Sequence, residues 1–190
     1  MGVRDVARNA YEEALPALLA SAVGGLFAGA VLGGMQAELK AVEGLLVLVP
    51  ALLATRGNVY GSLGARLASG LHQGIVEPYF DVDDERLRAA VAAAMANGLL
   101  ACVFAAVVAY LVLLGLGRAT APLPVLVAIA LVTGLLSGVV LTVAVVLVVF
   151  VGFRNGQNPD ALVGPIVTTT GDVFGMLSLL AAVWIVAGVL

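Results

Sequence analysis

The sequence predicts an all-α integral membrane protein with five transmembrane helices, and three observations carry that prediction. Of the 190 residues, 62% are hydrophobic and only 11% are charged, and the mean hydropathy of +1.13 is far above that of a soluble core. Residues 15–35, 89–117 and 119–153 contain no Asp, Glu, Lys or Arg, and each run exceeds the roughly 20 residues that cross about 30 Å of hydrocarbon. Two further apolar stretches are broken by a few polar groups, Arg56, Asn58 and Arg66 in one and Asp172 in the other. The expected spans are 15–35, 44–71, 89–117, 122–152 and 161–190, within one transmembrane domain covering 1–190.

In chain order, residues 3–13 place Val3, Val6, Ala7, Ala10 and Tyr11 opposite Arg4, Asp5, Arg8, Asn9 and Glu12, which predicts a short interfacial helix. Pro16 is expected near the start of the first span, whose Gly24-Gly25, Gly29 and Gly33-Gly34 suit close helix packing. The length of this apolar run and the acidic pair Glu12-Glu13 before it argue against a cleaved signal peptide. In the second span, Pro50 and the glycines around Arg56-Gly57-Asn58 predict a kink or local unwinding, with Arg56 and Arg66 snorkelling to an interface. Asp83 or Asp84 before Glu85 is a good N-cap for the third span. The acids of that loop, Glu77, Asp81, Asp83, Asp84 and Glu85, could also gather cations at a mouth. Cys102 reads as a small packing residue and Asn97 as an interhelical hydrogen-bonding group. The fourth span is long enough to require tilt.

With the N-terminus inside, one side of the membrane holds Arg4, Arg8, Arg56, Arg66, Arg86, Arg88 and Arg154, and the other only Lys40 and Arg118. The positive-inside rule then predicts a multi-pass protein of the cell membrane with a cytoplasmic N-terminus and an outside C-terminus. A net charge of −3 argues against a nucleic-acid partner, and the chain carries no Cys/His metal cluster, P-loop or nucleophile motif. It is not expected to be an enzyme.

The functional signal is concentrated at Asn158-Pro159-Asp160, Gly164-Pro165, Thr168-Thr169-Thr170 and Gly171-Asp172-Val173-Phe174-Gly175. A charge at bilayer depth costs about 2.5–3.5 kcal/mol on insertion scales, so it normally has a partner. No Lys or Arg lies within two helical turns of Asp172 along the chain; the expected partner is a cation. The segment also echoes the second span, where Gly57-Asn58-Val59-Tyr60-Gly61 parallels Gly171-Asp172-Val173-Phe174-Gly175. Val23-x-Gly25-Leu26-x-x-Gly29-x-Val31-Leu32 likewise parallels Val132-x-Gly134-Leu135-x-x-Gly138-x-Val140-Leu141. Helices 1–2 would recur as 4–5 in opposite orientation, an inverted repeat of the kind that marks transporter sites. At about 1.5 Å per residue, Asn58 lies roughly 21 Å from Gly44 and Asp172 roughly 18 Å from Asp160, near the midplane. A fifth helix ending at the outer interface near Leu190 would instead put Asp172 close to the cytoplasmic boundary.

Leu48-Val49-Pro50-Ala51-Leu52-Leu53, Gly57-Asn58, Ala65-Arg66-Leu67-Ala68-Ser69, Asn158-Pro159-Asp160, Gly164-Pro165 and Gly171-Asp172 together resemble the membrane domain of MgtE-type magnesium transporters and their eukaryotic solute-carrier relatives. The resemblance covers nearly the whole chain. It implies five transmembrane helices, a homodimer with the ion path on its two-fold axis and a pore-facing aspartate that maps onto Asp172, with Asn58 matching the asparagine of the second helix. The soluble regulatory domains of bacterial relatives have no counterpart in this sequence, and Tyr60 stands where eukaryotic relatives often look acidic.

Mg2+ takes oxygen ligands and dehydrates reluctantly, so one carboxylate per protomer with carbonyls and retained waters suits it, although Mn2+, Co2+ or Ni2+ could use the same oxygens. Asn58, Thr168, Thr169 and Gly171 are further candidate ligands, the threonines through hydroxyl or carbonyl oxygens; hydrogen bonding to the preceding turn is the commoner use of such threonines. Gly57, Asn158, Asp160 and Pro165 are candidates for shaping or gating the pore. The expected function is Mg2+ transport or conduction through a homodimeric pore lined by helices 2 and 5. Exchange against Na+ or H+, and a non-transporting membrane subunit, are the alternatives.

Overall fold

The computed structural model describes residues 3–79, 84–157 and 159–189, without the side chains of 3–10, 12–14, 16–17, 160–161 and 189. Among these residues there are six helices and no strands: α1 (Val3–Gly34), α2 (Gln36–Ala41), α3 (Leu45–His72), α4 (Glu85–Gly115), α5 (Leu123–Arg154) and α6 (Pro159–Val189). Helices α3 to α6 are each long and apolar enough to span a membrane, and α1 contributes a shorter apolar segment, Leu18–Gly34. Residues 3–13 do not form a separate interfacial helix; they run without a break into the first span.

Nor does α3 unwind. It is helical from Leu45 to His72, with Pro50 inside it at the cost of one backbone donor. Glycines alone weaken a helix by about 1 kcal/mol each without breaking it. The break lies just before, where Gly44 takes φ +91°, a left-handed conformation that L side chains rarely adopt. Asp84 caps α4 as expected, accepting from the backbone N–H of Arg86 at 2.8 Å and Leu87 at 3.3 Å.

Helix α5 sits at the centre, packed on α3, α4 and α6, while α1 lies mainly against α6. α5 and α6 form the most extensive pair, and α1 with α3 does not match it. The two halves suggested by the sequence echo therefore pack differently. Small residues set the close approaches: the Cys102 sulfur lies over Gly134, and the Tyr60 hydroxyl is wedged between Gly98 and Gly138.

The two ends of the bundle differ. At one, His72 packs edge-on against Phe153 with ring centroids 5.5 Å apart, and Arg154 lies over the Tyr79 ring. Arg86 there donates to the Ile75 carbonyl. At the other, the Ala121 N–H donates to the Glu43 carbonyl, tying the α2–α3 turn to the α4–α5 turn. Trp184, 62% exposed, donates its indole N–H to Glu38 Oε1 at 2.9 Å. This hydrogen bond holds the Glu38 carboxyl below the ordinary 4.5 of a glutamate, with the local backbone bond adding to the effect.

Since ionised Glu38 is the better acceptor, the Trp184 contact persists as pH falls to the ordinary glutamate value and is lost below it. Trp184 is the sole tryptophan. The intrinsic fluorescence should therefore show one acid transition with its midpoint under 4.5, abolished in Glu38→Gln; a fluorimetric titration in detergent or nanodiscs checks it.

Candidate functional site

The apolar interior is divided in two. Near the Trp184 end, Met35, Leu45, Leu48, Leu52, Leu126, Ile129, Met176 and Leu179 form one buried cluster. Toward the Arg154 end, Tyr60, Leu63, Leu67, Val145, Val149, Phe150, Val163 and Val167 form another. The residues between them are of a different kind. On α3, Arg56 falls between Leu52 and Tyr60; on α5, Thr133 and Ser137 fall between Ala130 and Leu141; on α6, Asp172 falls between Val167 and Met176. Polar side chains from three helices thus meet at one level of the bundle.

That level is central. Asp172 is 13 residues past Pro159 and 17 before Val189, and Arg56 is 11 residues past Leu45 and 16 before His72. At about 1.5 Å per residue, Asp172 lies roughly 20 Å along α6 from the Arg154 end of the bundle, and Arg56 roughly 24 Å along α3 from the same end. Asp172 therefore lies near the middle of α6 along its length.

Asp172 is half-buried and borders a cavity of ≈ 210 Å³ between α1, α3 and α6, walled by Gly25, Gly29, Val49, Leu53 and Met176. Residues 165, 168, 169 and 172 share one face of α6 by helical spacing. The Thr168 hydroxyl is turned back on its own helix, donating to the carbonyls of Gly164 at 3.1 Å and Pro165 at 3.0 Å. Thr169 shares a hydrogen bond of 3.1 Å with Ser21 on α1. Both hydroxyls thus fasten the approach to Asp172 in this arrangement. Gly171 is buried beside Leu141, and Pro165, partly buried, interrupts the donor ladder of α6. Asn158 and the side chain of Asp160 lie outside the described residues, as do Asp81 and Asp83 of the acidic loop.

Asn58 is placed elsewhere. It is exposed and lines a second cavity, ≈ 230 Å³, between α3 and α4, together with Ser62, Arg66 and Asn97. Gly57 is partly exposed, with nothing close enough to obstruct an added side chain. The structure therefore brings Thr168, Thr169, Gly171 and Asp172 to one region and leaves Asn58 on a different side of α3. Asn58, Ser62, Ala65 and Ser69 are all exposed, and their spacing draws a polar and small-residue stripe down a helix of membrane-spanning length.

Arg56 departs most from expectation. It does not snorkel: it is 4% exposed, and its guanidinium is packed over Gly175, where a side chain would collide with it. Among the described residues, Nε and Nη2 have no hydrogen-bond partner, and neither does the buried Thr133 Oγ1. Removing Arg56 from the charge tally leaves Arg4, Arg8, Arg66, Arg86, Arg88 and Arg154 toward one end of the bundle, against Lys40 and Arg118 at the other. The sequence signal for Arg56 was available as an arginine amid apolar residues of a span, but its burial was not. Thr133 and Ser137 gave no signal, being two small hydroxyls in a Val/Leu-rich run. Tyr60 is 2% exposed, with its hydroxyl 3.5 Å from Met95 Sδ, and is part of the packing.

Among the described residues no three His, Cys, Asp or Glu side chains converge, so the Asp172 region offers a divalent ion one carboxylate per chain. A family model described as MgtE, divalent cation transporter, matches residues 49–182. No curated protein matches the chain.

Proposed function

Because the chain belongs to the MgtE family of divalent cation transporters, we propose that it moves Mg2+ across the cell membrane, with Asp172 as the principal protein ligand of the ion in transit. The observation that carries this reading is a carboxylate at the middle of a membrane-length helix, bordering a cavity, in a chain of that family. A hard cation that keeps part of its hydration shell suits a lone carboxylate flanked by backbone carbonyls and threonine oxygens better than it suits a closed cage. Thr168, Thr169 and Gly171 adjoin Asp172 on α6 and would contribute through carbonyls or through hydroxyls released from their present bonds.

The working unit in this reading is a homodimer. The Asp172 cavity and the Asn58 groove lie on different sides of α3 in one chain, and the exposed stripe through Asn58 presents polar groups where a lone chain would face lipid. A second copy supplies both a cover for polar surface and a second Asp172 to balance a divalent charge. The path is then lined by α3 and α6, with Gly57, Asn158, Asp160 and Pro165 as the candidates that shape or gate it. The sequence echo between α1–α3 and α5–α6 enters as an inverted repeat of motif positions. The N-terminus is cytoplasmic, following the arginine-rich end of the bundle.

Reconstitution tests the reading. Proteoliposomes of the purified chain should take up Mg2+ down an imposed gradient, detected by an entrapped indicator, at a rate unchanged by opposing Na+ or H+ gradients. Uptake that requires one of those gradients would make the protein an exchanger, and absence of uptake by folded protein would leave the non-transporting subunit.

A further inference from the structure

Arg56 is a permanent cation at mid-helix, almost wholly removed from solvent, with two of its donor nitrogens unmatched. Such a group is costly in a low-dielectric interior unless a counter-charge and hydrogen-bond acceptors meet it. The titratable groups within its electrostatic reach are Cys102 on α4, Tyr60 on its own helix and Asp172 on α6. Of these, only an aspartate is ordinarily ionised at neutral pH. The guanidinium now rests over Gly175, and Asp172 is three residues earlier on α6, hence on the same face one turn away. Glycine matters here because any side chain at that position would displace the guanidinium.

Two resting places for one flexible head group follow, the seat over Gly175 and the carboxylate of Asp172. We propose that Arg56 is the built-in counter-cation of Asp172, pairing with it when no divalent ion is bound and withdrawing to the Gly175 seat when the ion takes the carboxylate. This deepens the reading of Asp172 as the ion ligand and rests on it. An approaching Mg2+ must displace a tethered monovalent cation, which weakens its binding and favours release. A monovalent ion has no charge advantage over the guanidinium, so the same competition discriminates in favour of divalent ions.

The pairing is tested by a double-mutant cycle on the purified full chain in Mg2+-free buffer with chelator. Arg56→Met and Asp172→Asn should each lower the Tm by about 5 °C, and the double variant should recover at least half of the summed loss. Additive losses would overturn the pairing. If Arg56→Met yields no folded protein, addition of Asp172→Asn should restore it; failure to do so, with Asp172→Asn folded alone, overturns the pairing equally.

The competition is read from Mg2+ titrations by calorimetry. Arg56→Met should bind Mg2+ about tenfold more tightly, Arg56→Lys should stay near the wild type, and Gly175→Ala, which closes the retracted seat, should bind about tenfold more weakly. Unchanged affinity in folded Arg56→Met would overturn the competition even if the cycle shows coupling. Where Arg56→Met does not fold, Gly175→Ala decides it, unchanged affinity being the contrary result. Failure of the transport reading looks different: Asp172→Asn would then keep full Mg2+ flux, while the chelator-buffered cycle still decides the pairing.

Discussion

Asp172→Asn is expected to cut Mg2+ flux in proteoliposomes to below about one-tenth of the wild-type rate. The substitution keeps shape and one carbonyl oxygen but removes the formal charge, and the attraction between a carboxylate and a divalent ion at an effective dielectric near 20 amounts to several kcal/mol. A factor of ten needs only about 1.4 kcal/mol, so partial compensation by retained waters would not rescue transport. Asp172 is the one acidic side chain among the described residues that line its cavity. Indicator-loaded vesicles, with orientation and protein content matched, measure the effect. Wild-type flux in this variant would remove Asp172 from the ion path and with it the reading of the α6 segment as the site.

The second large effect concerns packing at the same level of the membrane. Gly138→Ala on α5 is expected to destabilise the fold by about 2 kcal/mol, the cost typical of forcing extra atoms into a filled interior. A side chain there would run into the Tyr60 hydroxyl and approach Met95 Sδ at 3.1 Å, and Tyr60 cannot retreat because Gly98 already confines it on the other side. Removing the hydroxyl opens the needed space. Tyr60→Phe combined with Gly138→Ala should therefore recover more than half of the loss in thermal stability, measured in detergent. Tyr60→Phe alone should retain most of the Mg2+ flux, because its hydroxyl meets Met95 rather than the Asp172 cavity. A double variant no more stable than Gly138→Ala would show that the clash lies elsewhere.

The spans were legible because bilayer thickness sets a minimum length for an apolar run, and the chain writes those runs plainly. The α4 cap at Asp84 was legible for a local reason, since a carboxylate before Glu85 bonds donors only two and three residues away. The local unwinding expected near Pro50 does not occur, because one missing donor does not end a helix whose neighbours pack along its length. The interfacial helix over 3–13 was misjudged for a similar reason: amphipathic patterning describes a face and does not say where a helix ends.

Asp172 is singled out by one physical fact visible in the sequence, a carboxylate with no basic residue nearby along an apolar segment. Apart from Leu48, the motifs that resemble the MgtE family lie within the matched residues 49–182 and were equally available. What the sequence alone determined is thus the class of protein, its long apolar helices and the family to which it belongs. All of these follow from local composition and spacing.

The surroundings of Asp172 were decided only by tertiary structure. Helical periodicity tells which residues share a face, but not which face of which helix will meet it. Packing of α3 on α6 brings the buried Arg56 over Gly175, one turn from Asp172 and more than 100 residues away in the chain. The same packing turns Asn58 toward α4, away from the Asp172 cavity. A carboxylate that looks solitary along the chain has a basic neighbour in space, because contacts between helices are set by the fit of small residues such as Gly138 and Gly175 rather than by distance in sequence.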